Sequence, residues 1–212
     1  MNRNKINYIS AQNTQKLSKE TIAFHEAGHA TAIYLNNRTR NIPPVFFKIL
    51  LNSITNEQVG GSTFTEPLEG DYIAKIEGGR LIQTFSPLDE VTEGYMTAFE
   101  ADIINVLVGP LAEAKYVHEC DDECFNERLV NIHALIYYGG RLDLQLTSEY
   151  IQSLYPSRQE QEKTLNRLFN IAFGFIENHS NWQAICRLAN YIYQCPKSVI
   201  DYEEVVLILE SA

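Results

Sequence analysis

Two histidines and a glutamate stand at a spacing that suits metal chemistry, because residues 25–29 read His-Glu-Ala-Gly-His. On a helix, residues four apart return to nearly the same face, one turn further along. The imidazoles of His25 and His29 can therefore bind one zinc ion, at about 2.0–2.1 Å each. Glu26 lies about 100° round the helix from His25. Its carboxylate is then beside the metal, where it can take a proton from a zinc-bound water.

The residues around this H-E-x-x-H motif favour a real site over a chance match on a buried helix. Apolar side chains on both sides of the motif predict a helix that is buried on most sides: Ile22, Ala23, Ala27, Ala30, Ile33 and Tyr34. Two imidazoles and a carboxylate are costly to bury without a partner. A metal ion is the commonest partner for such a set, so we expect Zn²⁺ as the cofactor.

The composition limits the classes of function that fit the chain of 212 residues. A hydrophobic share of 45% is ordinary for a globular protein and allows a sizeable core. A net charge of −10 argues against nucleic acid or an anionic membrane surface as the main partner. No apolar run is long enough to span a membrane, and residues 1–7 lack the apolar core of a signal peptide. We therefore expect a soluble, cytoplasmic protein with reduced cysteines.

The pattern of apolar residues predicts a mainly α fold, a helical zincin-like domain with one small β-hairpin or short sheet. Residues 1–17 are read as an N-terminal arm, loose or in a short helix, and residues 18–212 as a single domain. Ser18 is the expected N-cap of the motif helix, which should end near Leu35 because Asn36 and Asn37 follow.

A β-hairpin is predicted after the motif helix, from Val45–Leu51 and Gln58–Thr65, with Gly60 and Gly61 at a bulge. One of its strands should lie at a sheet edge, where an extended peptide can add a strand. Glycines and a proline break the pattern over residues 67–93. That stretch is read as a partly irregular insertion, either a lid over the site or a surface excursion that covers the edge.

A second long helix is predicted from Gly94 or Tyr95, and Pro110 should bend it or split it. Residues 117–135 form a second insertion. Its histidine and cysteines, His118, Cys120 and Cys124, leave open a second metal site, but the crowded acidic residues favour a solvated loop. The zinc-site core is expected over 18–155, followed by two or three helices over 156–212.

Two carboxylates compete for the third place on the metal. Glu113, on the second helix, could bind the metal or hold a ligand imidazole through a hydrogen bond. Asp143 follows Gly139 and Gly140 at a predicted helix start, where a short carboxylate can be aimed at a metal. No further histidine motif follows His29, which excludes the three-histidine arrangement of metzincins. The residues alone leave both carboxylates open.

The order of these features resembles the peptidase domain of the FtsH family of zinc metalloproteases. The resemblance rests on the helix Thr21–Ala30, a hairpin ending at Val59–Phe64, a helix containing Leu107–Ala114, and then a glycine-rich turn and an aspartate. It covers roughly residues 18–155 and is most specific at the motif itself. Pro110 and the two insertions depart from the family pattern.

The resemblance implies a role for each site residue. His25 and His29 would bind zinc, Asp143 would be the third ligand, and Glu26 would be the catalytic base. Glu113 remains the alternative third ligand or a partner that orients a ligand. The implied activity is hydrolysis of peptide bonds by a zinc-activated water.

The expected substrate is a peptide or an unfolded protein, because the chain carries no Walker A motif or AAA-type ATPase. This predicts a free-standing domain without a membrane anchor. A homo-oligomer and a separate ATPase partner stay open. The alternative function is a catalytically silent metal-binding or scaffold module derived from such a peptidase. Access of solvent and substrate to the site would distinguish the two.

Overall fold

The computed structural model describes the backbone of residues 3–40, 43–51, 74–85 and 92–211, and the side chains of these ranges from Lys19 onward. The α-helices are α1 (Arg3–Thr39), α2 (Glu93–Cys120), α3 (Arg141–Leu154), α4 (Arg158–Glu177), α5 (His179–Gln194) and α6 (Tyr202–Glu210). Within these ranges, 3₁₀ helices span Leu81–Thr84 and Ile132–Tyr137. The short strands in the same ranges are β1 (Phe47–Leu51), β2 (Ala74–Gly78) and β3 (Val199–Asp201). The predicted mainly helical fold with a short sheet is confirmed.

Helices α1 and α2 form the centre of the molecule and pack extensively against each other. The close approach requires small residues, since a Cβ added at Gly28 would lie 2.8 Å from the Val108 carbonyl oxygen and from Ala112 Cβ. Large α2 side chains such as Phe99 and Leu107 are fully buried around this contact. Burying each stabilises the fold by about 1.5–3 kcal/mol.

Helix α1 begins earlier than the sequence predicted. It starts at Arg3, so Ser18 lies inside the helix and does not cap it. Residues 3–17 contain neither glycine nor proline, and nothing in them interrupts a helix that the buried motif already stabilises. The proposed division into an arm and a domain remains a prediction.

The end of α1 also differs from the prediction, because the helix continues through Asn36 and Asn37 to Thr39. The side chains of both asparagines are used in tertiary contacts. Asn36 Nδ2 donates to Asn105 Oδ1 at 2.5 Å, and Asn37 Nδ2 donates to the Val45 carbonyl oxygen at 2.6 Å. These bonds replace the local turn bonds that make asparagine a helix stop in sequence reasoning.

Helix α2 begins at Glu93, where the Thr92 hydroxyl oxygen accepts a hydrogen bond from the Tyr95 amide at 3.2 Å. It continues through Pro110 to Cys120, so the split that sequence reasoning allowed does not occur. Pro110 is itself buried. The packing of the buried residues on either side of it offsets the backbone hydrogen bond that proline cannot make.

The predicted insertion 117–135 begins inside α2. His118 is buried at 5% exposure, and its Nδ1 lies 2.9 Å from the Ala114 carbonyl oxygen. Cys120 and Cys124 are exposed. Within the described residues, these three side chains are not part of a group of potential metal ligands. The prediction of an exposed acidic loop therefore fits residues 121–124 but not His118, which is a buried helix residue.

The sheet has the strand order β2-β1-β3, with both pairings antiparallel. The partner of β1 differs from the expected one, because β2 lies within the stretch that was read as an irregular insertion. The expected partner, Gln58–Thr65, lies outside the described residues. Strand β3 was missed, because three residues before a terminal helix carry too little periodic signal.

The C-terminal part folds as α4, α5 and α6, in agreement with the predicted two or three helices. His179 is the exposed first residue of α5. No helix in the described ranges combines the length and the apolar character needed to cross a lipid bilayer.

Candidate metal centre

Helix α1 presents His25 and His29 on one face, and Asp143 approaches them from the first turn of α3. The Nε2 atom of His25 lies 3.2 Å from Asp143 Oδ2, and the Nε2 atom of His29 lies 3.4 Å from Asp143 Oδ1. One donor atom from each residue falls within 4.8 Å of the other two. The helical spacing of the motif and the predicted helix start at Asp143 therefore bring three potential ligands together.

The opposite nitrogen of each imidazole is held by a residue of α2. His25 Nδ1 lies 2.9 Å from Glu113 Oε2, and His29 Nδ1 lies 2.8 Å from the backbone oxygen of Asn105. A carbonyl oxygen only accepts, so His29 Nδ1 donates to Asn105, and Nε2 is the ring nitrogen that faces Asp143. Such partners orient metal-binding imidazoles and increase their basicity. Glu113 thus lies behind His25, on the side of the ring away from Asp143.

The cluster favours a positive charge at its centre. Burial disfavours the charged form of His25, but its hydrogen bonds to the Asp143 and Glu113 carboxylates outweigh burial and hold the pKa of His25 well above its usual range. Burial likewise favours neutral Asp143, yet the neighbouring imidazoles hold the pKa of that carboxyl well below its usual range. The side chains of His25, His29 and Asp143 are only 11%, 12% and 18% exposed. A cation at this point would be little screened by solvent.

Glu26 points from α1 toward the sheet. Its Oε2 accepts a hydrogen bond from the Ile76 amide of β2 at 3.0 Å. Burial raises the pKa of Glu26, against the opposing effect of the neighbouring His25 and His29. A raised pKa brings a carboxylate closer to the range in which it can both accept and return a proton near neutral pH.

Two glycines leave space for the imidazole rings of His25 and His29, and sequence reasoning missed both roles. A Cβ added at Gly109 in α2 would lie 2.3 Å from both Cε1 and Nε2 of His29. Gly139 has φ +68°, and a Cβ there would lie 2.7 Å from Glu113 Oε2. The available signal was Gly109 itself, because a glycine inside an apolar helix usually has a packing reason.

A cleft of about 130 Å³ opens beside His29 and Asp143. Its apolar side includes Ile76 of β2, and its polar side includes Asp102 and Asn105 of α2. The ligand cluster is therefore reached from a groove between the sheet and the helices. The sequence alone did not show whether solvent and substrate can reach the site.

Neither protein-family models nor curated protein sequences gave a match to this chain.

Proposed function

We propose that this chain is a zinc-dependent metalloendopeptidase that hydrolyses peptide bonds in unfolded or short polypeptides. The observation that carries the proposal is the convergence of two imidazole Nε2 atoms and one carboxylate beside an open cleft. Catalytic zinc sites in proteins commonly use three protein ligands, with two histidines and a carboxylate as one recurrent set, and keep a fourth position open.

The residues present fit a zinc ion. His25 and His29 have their outer nitrogens held by α2, so both rings offer Nε2, and Asp143 supplies a carboxylate held in the ionised form. Neutral imidazole and ionised carboxylate are the states that bind a metal, so a zinc ion bound there would replace the proton that the neighbouring carboxylates favour on His25. These three residues would hold the ion. A zinc ion bound there would polarise the scissile carbonyl and lower the pKa of a water in its open position.

Glu26 is the proposed general base. Its carboxylate takes a proton from the attacking water and transfers it to the leaving amine as the peptide bond breaks. The Ile76 amide directs one carboxylate oxygen, and the raised pKa of Glu26 lets it retain the proton between the two transfers. Both properties come from the contact between α1 and β2.

Strand β2 is proposed to bind the substrate main chain. It lies at one end of the strand order in the described sheet, and the Ile76 amide points away from β1 toward Glu26. Because strand residues alternate, the backbone groups of Ala74 and Gly78 face the same side, where no strand of the described residues pairs with β2. An extended peptide paired there would lie beside Glu26, and pairing through the main chain suits substrates of varied sequence.

The relationship to FtsH-type peptidase domains is part of this proposal. It is supported by the H-E-x-x-H helix, the neighbouring strand and the aspartate after a glycine turn, now placed around one cluster. A cytoplasmic location, a homo-oligomer and a separate ATPase partner remain predictions.

The test is cleavage of a mixed peptide library by zinc-loaded protein, with and without a chelator, compared with the Glu26→Gln variant. This substitution keeps the size of the side chain and removes the base. Zinc content should stay unchanged while turnover falls by about 10²–10⁴-fold, the usual contribution of a general base. Glu149→Gln, a change at an exposed glutamate on α3, serves as the matched control.

Equal cleavage by Glu26→Gln and the parent protein would remove Glu26 from the mechanism. A parent protein that binds one zinc ion and cleaves no peptide in the library would instead favour the silent metal-binding module.

A further inference from the structure

Asp102 of α2 is a buried carboxylate that the proposed chemistry does not use. It is 3% exposed, and its two oxygens accept hydrogen bonds from consecutive amides, Leu81 at 2.8 Å and Ile82 at 3.0 Å. Both amides belong to the first turn of the 3₁₀ helix Leu81–Thr84, where they have no partner within the helix. Burying a carboxylate is costly without such donors, so each partner holds the other in place.

The chain passes from β2 to the 3₁₀ helix through two glycines, which have no side chains to hold this connection in place. Gly78 and Gly79 have φ values of +93° and +80°, which only glycine adopts without strain. A Cβ at Gly79 would lie 2.8 Å from Ile33 Cδ1, so the connection crosses directly over α1. After it, Arg80 makes an exposed hydrogen bond to the Tyr150 hydroxyl at 3.3 Å, and the buried anchor is the pair of bonds to Asp102.

The same turn of α2 also orients a metal ligand. Asn105 lies three residues after Asp102, and its backbone oxygen accepts the His29 Nδ1 proton at 2.8 Å. Residues 102–105 therefore contact both the 3₁₀ helix that follows the proposed substrate strand and one proposed zinc ligand. This arrangement can set the distance between the peptide and the metal.

We propose that Asp102 is a positioning residue for peptide binding, because it holds the Leu81 and Ile82 amides and thereby fixes β2, an end strand of the described sheet, beside the metal centre. The inference rests on the proposed peptidase function. Asp102 itself does not act on the reacting atoms. Its loss should therefore weaken peptide binding and leave metal binding intact.

The experiment uses Asp102→Asn in zinc-loaded Glu26→Gln protein, so that the peptide is bound and not consumed. Asparagine has nearly the same shape but only one acceptor oxygen, and one of the two amides loses its partner. The affinity for fluorescein-labelled oxidised insulin B chain, measured by fluorescence anisotropy, should fall about 10-fold, the scale of one lost hydrogen bond to a charged group. Zinc affinity, measured by chelator competition, should change by less than about 3-fold, because no proposed ligand or ligand partner is altered.

Hydrogen exchange supplies a readout that does not depend on peptide or metal. Exchange across residues 74–85 of the metal-free protein should become faster in Asp102→Asn and remain at the parent rate in the rest of α2. Glu100→Gln is the matched control, because it removes from the same helix an acidic group whose ion pair is with the half-exposed Arg167. It should leave peptide affinity and exchange across 74–85 unchanged.

Faster exchange with weaker peptide binding and unchanged zinc affinity would support the inference. Unchanged peptide affinity in Asp102→Asn, or unchanged exchange across 74–85, would overturn it and leave the proposed function standing. A parent protein that binds zinc but no peptide would overturn both. If Asp102→Asn does not fold, Asp102→Ser takes its place with one acceptor oxygen. Failure of both to fold would assign Asp102 to folding and overturn a separate positioning role.

Discussion

Gly109 provides the sharpest test of the metal centre, because it is the residue of α2 that faces the His29 ring. In Gly109→Ala the new Cβ would lie 2.3 Å from Cε1 and Nε2 of His29 and 2.7 Å from its Cδ2. Side-chain Cβ atoms essentially never approach closer than 3.0 Å, so the ring must move by about 0.7 Å, the difference between 3.0 and 2.3 Å. The hydrogen bond from Nδ1 to the Asn105 carbonyl oxygen opposes that movement.

The displacement is large compared with what zinc coordination tolerates. Ligand distances in zinc sites hold to about 0.2 Å. Changes at residues behind a ligand cost about 10–100-fold in metal affinity. Direct displacement of a ligand atom should cost at least the upper end of that range, so Gly109→Ala should bind zinc at least about 100-fold more weakly. Overpacking also costs about 1–3 kcal/mol of stability, partly offset by the better helix propensity of alanine.

The assay is competition for zinc with a chromophoric chelator, together with urea unfolding of the metal-free protein. Gly174→Ala is the matched control, since it makes the same substitution in helix α4, where a Cβ meets nothing within 4 Å. That variant should bind zinc like the parent and gain about 0.5–1 kcal/mol of stability. Parent-like zinc affinity in a folded Gly109→Ala protein would refute the placement of His29 on the metal.

The remaining predictions concern two carboxylates at the metal and one in the cleft. Asp143→Ala should weaken zinc binding more than Glu113→Ala, because Asp143 faces both Nε2 atoms whereas Glu113 contacts the outer nitrogen of His25. Zinc affinity would be measured by chelator competition. Release of the metal by Glu113→Ala alone would contradict this assignment. Burial raises the pKa of Asp102 to about 6, although the hydrogen bonds that it accepts from the Leu81 and Ile82 amides oppose the shift. The folded state therefore holds this proton better than the unfolded state, and the resulting stability is present below about pH 4 and lost as the pH rises through about 6. Urea unfolding should show a loss of up to about 3 kcal/mol over that range, and Asp102→Asn should lack this contribution. An identical pH dependence in the variant and the parent would rule out Asp102 as its source.

Local spacing predicted two members of the His25, His29 and Asp143 group, because His25 and His29 share a face at any helical geometry. The residues alone left Asp143 and Glu113 open as the third member, and only the resemblance favoured Asp143. The residue that orients the His29 ring could not be found in this way. Asn105 contributes a backbone carbonyl oxygen, which every residue type possesses, so its identity carries no signal.

The strands were harder to predict because their pairing depends on distant parts of the chain. Strand β1 was located from its own apolar residues, but its two partners are β2 and β3, and β3 is more than a hundred residues away. Register between strands is set by burial and by connections, and short segments carry little of either signal. The same limit applies to Asp102, whose role depends on two amides that precede it by about 20 residues.

Three residues of α2 repeat the four-residue spacing that separates the two histidines of α1. Asn105, Gly109 and Glu113 are spaced by four residues, so they lie along one face of the helix, and that face meets the face carrying His25 and His29. Glu113 and Asn105 hydrogen-bond the Nδ1 atoms of His25 and His29. Gly109, between them, leaves the space that the His29 ring occupies. A larger residue at 109 would leave both hydrogen-bonding groups present and still displace the ring. The proposed metal centre therefore depends on the absence of a side chain at Gly109 as much as on the ligands themselves. This dependence appears only when the sequences of α1 and α2 are compared with each other.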